Sequence, residues 1–219
     1  MEKKNIKLFF VGVSLLAAFV LWTVFVCFID VRAIGPRESS VGFATLNDYV
    51  HHLTGVNMCL YVITDWLGLV PIGVAFGFAV LGLVQWIKRK RLLKVDRSIL
   101  TLGGFYIVVM AVYILFEIVV INYRPILIDG YLEASYPSST TILVMCVMPT
   151  AMMQLRTRIK NDLFRRCVML TITVFIAFMV IGRLVSGVHW ITDIIGGALL
   201  STAIVLMYYS IGNIVAKSR

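Results

Sequence analysis

Apolar residues along this chain gather into six runs, at approximately 8–29, 64–87, 99–121, 140–155, 167–186 and 190–214. Each is near the ~20 residues that carry a helix across the hydrocarbon of a bilayer, the fourth and fifth being short or interrupted. The pattern predicts an all-α integral membrane protein with six transmembrane helices. Trp66 and Trp86 stand twenty residues apart in the second run, about 30 Å along a helix, and are expected to mark its two interfaces. Asp65 then falls at the outer interface and receives no role. Gly73 and Gly77 form a small-xxx-small pair suited to helix packing. Between the first two runs, Val41 to Leu53 reads as a helix lying in the interface.

Composition agrees with this pattern. Sixty per cent of residues are hydrophobic and 14% charged, and the mean hydropathy is +0.95, which places the chain among membrane proteins. At 219 residues it reads as one domain. Lys3, Lys4 and Lys7 precede the run from Leu8 to Ile29. That run is longer than a signal-peptide core and ends without a small-residue cleavage site, so it is expected to be a retained span.

The net charge is +9, yet its distribution argues against nucleic acid as a partner. Sixteen of the twenty Lys and Arg lie in four clusters beside apolar runs: three in the N-terminal tail, six in 88–97, five in 156–166 and two at the C-terminus. Arg32, Arg37, Arg124 and Arg183 are the others. By the positive-inside rule both termini and the two basic loops are cytoplasmic. The segment Asn122 to Ser139 and the turn between the last two runs then face outward. The four cysteines show no metal-ligand spacing; Cys27 and Cys59 flank the first outer loop and are candidates for a disulfide. No internal repeat is apparent, and no feature specifies an oligomeric state.

Candidate chemistry concentrates near the C-terminal end, where Arg183, His189 and Asp193 interrupt apolar sequence. Ionisable groups in such surroundings point to function. His189 and Asp193 are four apart, so on a helix they share a face and the carboxylate can orient the imidazole. Arg183 adds a cation for an anionic substrate. On the same predicted membrane face, Arg124-Pro125 follows the third run, and Tyr136-Pro137-Ser138-Ser139-Thr140-Thr141 opens the fourth. Proline and hydroxyl residues at a helix start leave backbone N–H groups free at the positive end of the dipole, a ready anion site. His51 and His52, in the first outer loop, are adjacent and so do not face one target on a helix.

These residues carry a resemblance to the type-2 phosphatidic acid phosphatase superfamily. Its signature reads Lys, six residues, Arg-Pro; then Pro-Ser-Gly-His; then Ser-Arg, five residues, His, three residues, Asp. Here the third part is Gly182-Arg183, five residues, His189, three residues, Asp193. The resemblance runs from about residue 99 to the C-terminus.

It implies a six-helix lipid phosphatase needing no metal or cofactor, acting on a phosphorylated lipid in the outer leaflet. His189 would attack phosphorus and form a phosphohistidine, with Asp193 orienting its ring. Arg124 and Arg183 would clamp the phosphoryl oxygens, and Ser138, Ser139 and the helix start would add hydrogen bonds.

Gly182 replaces the Ser of the third part and Ser139 the Gly that lets the phosphate approach closely, and two further departures bear on the chemistry. Glu117 stands at the first-motif Lys, and Thr140 at the second-motif His that protonates the leaving group. Glu117 is expected to hold Arg124 or Arg183, lying about two turns below Arg124. Thr140 is too weakly acidic to donate a proton; Tyr123, Glu133 and Tyr136 are the candidates to replace it. A missing acid favours a diphosphate, such as a polyprenyl diphosphate, over a phosphate monoester. Two rival readings are a family member that binds a phosphorylated lipid without hydrolysing it, and a small transporter or assembly subunit.

Overall fold

A computed structural model describes residues 2–217, with side chains described from residue 3 to residue 212. Lys217 and Arg219, which form the C-terminal basic cluster, lie outside the described side chains. Eight α-helices are present among the described residues: α1 Glu2–Phe28, α2 Ala44–Thr54, α3 Met58–Leu67, α4 Leu69–Arg89, α5 Arg97–Ile118, α6 Ser139–Arg158, α7 Asp162–Val185 and α8 Ile191–Lys217. Five segments are long and apolar enough to cross a membrane: Lys3–Phe28, Met58–Arg89, Arg97–Ile118, Asp162–Val185 and Ile191–Gly212. The protein is therefore an all-helical, multi-pass membrane protein.

The fourth predicted span corresponds to α6, which has 20 residues, enough for about 30 Å, but is less apolar than the other five. Its position explains the difference. Thr141, Ile142, Val144, Cys146, Val147 and Met148 are all buried, and α4, α5, α7 and α8 pack around it. A helix enclosed by protein does not need a lipid-facing surface. α1 packs lengthwise on α8, where Phe19, Leu200 and Val205 join the main apolar cluster.

The second predicted span begins earlier than its hydropathy suggests. α3 starts at Met58 and α4 continues after Gly68. The pair has 32 residues, roughly 48 Å at 1.5 Å per residue, against ~30 Å of hydrocarbon. Counting about 20 residues back from the basic end at Lys88 and Arg89 reaches Gly68, so α3 is the part that exceeds the hydrocarbon. Asp65 lies two turns into α3, just ahead of Gly68, on a helix that walls the site. α5 likewise ends at Ile118 and not at 121, because the chain leaves helical geometry at Val119. The interfacial helix expected over 41–53 is α2.

Among the described residues all four cysteines are free, so the candidate Cys27–Cys59 disulfide is not formed.

Candidate functional site

Three pieces of chain converge where α6, α7 and α8 meet. The first is the turn Ser186–Trp190 between α7 and α8. His189 lies in this turn, whereas Asp193 lies in the first turn of α8, so the two do not share a helix face as their spacing predicts. The capping geometry joins them instead: the Trp190 N–H donates to Asp193 Oδ2 at 2.9 Å, as an acid at the third helical position reaches back to the cap. Gly187 makes the turn feasible. Its φ is +68° and a Cβ there would lie 1.9 Å from the Gly55 carbonyl oxygen, so a side chain is excluded on both grounds.

The second piece is the loop from Asn122 to Ser135, folded back on itself. The Arg124 N–H donates to the Glu133 carbonyl at 3.0 Å, and the Ser135 N–H to the Asn122 carbonyl at 2.9 Å. The third is the start of α6. Ser138 caps it, its hydroxyl accepting from the Thr141 N–H at 3.4 Å and the Thr141 hydroxyl at 3.1 Å. The Ser138 N–H donates to the Asp193 carbonyl at 3.1 Å, which fixes α6 against α8. Ser138 is fully buried in this cap; Ser139, the next residue, is the one that opens on the cavities beside the site.

His189, Asp193, Arg183 and Arg124 are all buried, at 3%, 0%, 2% and 8% exposure. His189 Nδ1 is 3.0 Å from the Ser135 hydroxyl and 3.7 Å from Asp193 Oδ2. The second distance exceeds hydrogen-bond range. Ser135 also donates to Asp193 Oδ2, so it sits between the two. On the other edge of the ring, Nε2 is buried and has no hydrogen-bond partner among the described residues. His189 lies outside the spans, and its pKa is held well below the usual histidine value, first by burial and then by the charges of Arg124 and Arg183. The imidazole is therefore neutral near pH 7.

The two arginines flank one aromatic ring. Their guanidinium carbons lie 5.0 Å (Arg183) and 5.9 Å (Arg124) from the Tyr61 centroid, close enough for cation–π attraction. Arg183 donates to Thr140 Oγ1 at 2.7 Å, Asp65 Oδ1 at 3.1 Å and Thr64 Oγ1 at 3.4 Å. Arg124 Nε lies 3.0 Å from Glu133 Oε2, but its N–H points off that oxygen. Among the described residues, Nε and Nη1 of Arg124, and Nε of Arg183, lack a hydrogen-bond partner.

Glu117 does not hold either arginine. Among the described residues it forms no ion pair, and Asp65 and Glu133 take that place. The expected position two turns beneath Arg124 assumed a continuous helix, and α5 ends six residues before Arg124. Glu117 instead lines a small recess with Tyr113, Ser135 and Ser139. Of the three candidate acids, Tyr136 is buried in the core, hydrogen-bonded to Thr23 at 2.7 Å, and its phenol pKa is pushed up by burial. The Tyr123 carbonyl accepts from Trp190 Nε1 at 2.7 Å. Glu133 alone of the three pairs with a site arginine.

Asp65, Tyr61 and Ser135 are site residues that sequence reasoning missed. His51 has a supporting place: its Nε2 meets the Gly187 carbonyl at 3.2 Å and its ring lies 5.5 Å from that of Trp190. His52 faces the other way, toward Asp48 at 3.4 Å.

The model of the PAP2 superfamily matches residues 119–215, a stretch that holds Arg124, Thr140, Arg183, His189 and Asp193. The resemblance read from the motifs is shown over that stretch. The fold is similar to the crystal structure of a transmembrane PAP2 type phosphatidylglycerolphosphate phosphatase from Bacillus subtilis. That match has a TM-score of 0.52 and 19% identity, and covers 95% of this chain and 98% of the other. No curated protein matches the chain by sequence.

Proposed function

We propose that this protein is a membrane phosphatase that hydrolyses phosphorylated lipids, polyprenyl diphosphates foremost, through a phosphohistidine on His189. One observation carries the reading: among the described residues, His189 Nε2, Arg124 Nε and Nη1, and Arg183 Nε are all buried without hydrogen-bond partners. Each unsatisfied buried group costs about 1–3 kcal/mol, and more when charged. A phosphoryl group presents several anionic oxygens to the guanidinium donors and phosphorus to the imidazole lone pair.

In the reaction, Nε2 attacks phosphorus in line with the leaving oxygen. The N–P bond forms as the P–O bond breaks, and the bonding pair departs with the leaving group. Arg124 and Arg183 stabilise charge on the equatorial oxygens. Water then cleaves the N–P bond, giving phosphate and regenerating the imidazole. Thr140 accepts a hydrogen bond from Arg183 and has no acidic proton to offer. A pyrophosphate suits this site, because its leaving group is a phosphate monoester, stable as an anion.

The tail has a place to lie. An apolar cavity of about 520 Å³ begins at Asp65, Ser139 and Thr140. It continues into another of about 650 Å³ that shares Ala75, Tyr106 and Met110 with it and reaches Trp86. Leu69 to Trp86 spans roughly 26 Å along α4, most of the ~30 Å hydrocarbon. A polyprenyl chain fills such a track; an acyl chain anchored in one leaflet reaches about half of it.

The basic clusters at 88–97 and 156–166 lie at the helix ends away from the site. This supports six crossings (α1, α3–α4, α5, α6, α7 and α8), cytoplasmic termini and a site on the extracytoplasmic face of the cell membrane. Thr140 and Glu117 favour one rival, a protein that binds the lipid without cleaving it. Purified protein in detergent, given polyprenyl diphosphate, phosphatidylglycerol phosphate and phosphatidic acid, decides between them. Phosphate release that is absent in His189→Ala supports the phosphatase. Lipid binding without release supports the rival.

A further inference from the structure

We infer that Ser135 is a positioning residue: its hydroxyl relays the orienting hydrogen bond between the Asp193 carboxylate and His189 Nδ1. The inference rests on the reading of His189 as nucleophile. The distances require an intermediary, because 3.7 Å separates Nδ1 from Asp193 Oδ2 while Ser135 Oγ lies 3.0 Å from Nδ1 and bonds the carboxylate.

Proton counting sets the direction of the relay. Ser135 donates its single hydroxyl proton to Asp193 Oδ2. The serine oxygen then presents a lone pair to Nδ1, which must carry the proton. The other nitrogen, Nε2, is left with its lone pair free, and it is the nitrogen that has no partner among the described residues. The relay therefore selects the tautomer that can attack phosphorus. As the N–P bond forms, the ring gains positive charge, and the Nδ1–H bond to Ser135 strengthens at that moment.

The fold holds Ser135 in place from both sides. Its N–H is bonded to the Asn122 carbonyl, and Ser138, three residues on, bonds the Asp193 carbonyl. Between them the Tyr136 ring packs so closely on α8 that a Cβ at Gly196 would lie 2.7 Å from it. Ser135, His189 and Asp193 are each at most 3% exposed, which shields the hydroxyl from bulk solvent.

The test combines kinetics with ¹⁵N NMR of the imidazoles in the full-length protein in detergent. The chain has three histidines, so His189 is assigned by comparison with His189→Ala. The wild type should show the Nδ1–H tautomer of His189. Ser135→Ala should lower kcat roughly 10- to 100-fold, the fold-change of one unsatisfied buried group. KM should stay within about 3-fold, as expected when orientation and not ground-state binding is lost. The Nδ1–H tautomer should give way to a mixture, and Ser135→Thr, which keeps the hydroxyl, should restore both readouts. Unchanged kcat in Ser135→Ala, a loss of kcat with an unchanged tautomer, or an Nε2–H wild type would each overturn the relay. The wild-type spectrum alone decides if neither variant folds. A His189→Ala protein as active as wild type would instead refute the nucleophile reading itself.

Discussion

The two sides of the site differ in how closely they follow the superfamily signature. On the α7–α8 side, Arg183, His189 and Asp193 keep the spacing of the superfamily signature, and the structure gives them a neutral imidazole with one free nitrogen. On the α5–α6 side, Glu117 and Thr140 stand where that signature has Lys and His. There the hydroxyl of Thr140 serves as an acceptor for Arg183, and Asp65 and Glu133 restrain the two arginines. On the proposed reading, the groups that would attack phosphorus are kept, while the signature's acid position holds Thr140. The difference teaches that the two halves of a displacement reaction can be modified separately, if the substrate's own leaving group needs no proton.

Removing the nucleophile is the harshest way to break this comparison. His189→Ala should reduce phosphate release by about 10⁴-fold or more, as loss of a covalent catalyst does, whereas Thr140→Ala should cost less than about 10-fold if that position donates no proton. Phosphate-release rates on a polyprenyl diphosphate read both. A Thr140 loss as large as the His189 loss would mean that the α6 side still carries chemistry.

The arginines come next. Arg124→Ala and Arg183→Ala should each cost roughly 10²–10³-fold in kcat, the scale of removing one preorganised oxyanion donor. Lys should recover less at either position than charge alone predicts, because each guanidinium holds a fixed fork on the Tyr61 ring. Full recovery by Lys would show that only the charge matters.

Acidification probes the α7–α8 side by itself. His189 is held well below the usual histidine range by burial, then by Arg124 and Arg183. A depressed pKa keeps the imidazole neutral as pH falls through about 6.5, the unperturbed value. The acid limb of kcat/KM, which reports the free enzyme, should therefore lie below pH 6.5. The unfolded chain binds a proton there that the native site refuses, so stability should also fall as pH drops below that value. An acid limb at or above about 6.5 would contradict a buried, neutral imidazole.

The smallest effect is expected from the restraints on the α6 side. Asp65→Asn keeps the shape beside Arg183 but removes a carboxylate that is more than half exposed. Such a partner is weakly coupled through solvent, so KM should change by no more than about 5-fold. A loss comparable to that of Arg183→Ala would give Asp65 a direct part in the reaction.

Much of this site was legible in the chain, and the exceptions share a cause. Arg183, His189 and Asp193 fall within eleven residues, so their order and spacing survive any error in the helix ends. Asp65 is 118 positions from the arginine it holds, and a carboxylate at the edge of a span reads as an ordinary interfacial residue. Ser135 reads as an ordinary loop residue until the loop folds back and brings it 54 positions along the chain to His189. Glu117 reads as a partner for the arginines because three β-branched residues, Val119 to Ile121, look like the end of an apolar helix, whereas the chain leaves helical geometry at Val119. Local motifs are readable from spacing; partners supplied by another helix are not.

The most direct test of the central claim compares polyprenyl diphosphate with the monophosphate of the same chain length. The two share a tail and a terminal phosphoryl group and differ in the leaving group, phosphate monoester against alkoxide. With no acid at residue 140, the diphosphate should be cleaved at least about 10²-fold faster in kcat/KM, the lower end of what general-acid assistance supplies. Thr140→His should narrow that ratio by raising the monophosphate rate. Equal rates on the two substrates, unchanged by Thr140→His, would show that another residue donates the proton and would contradict the account.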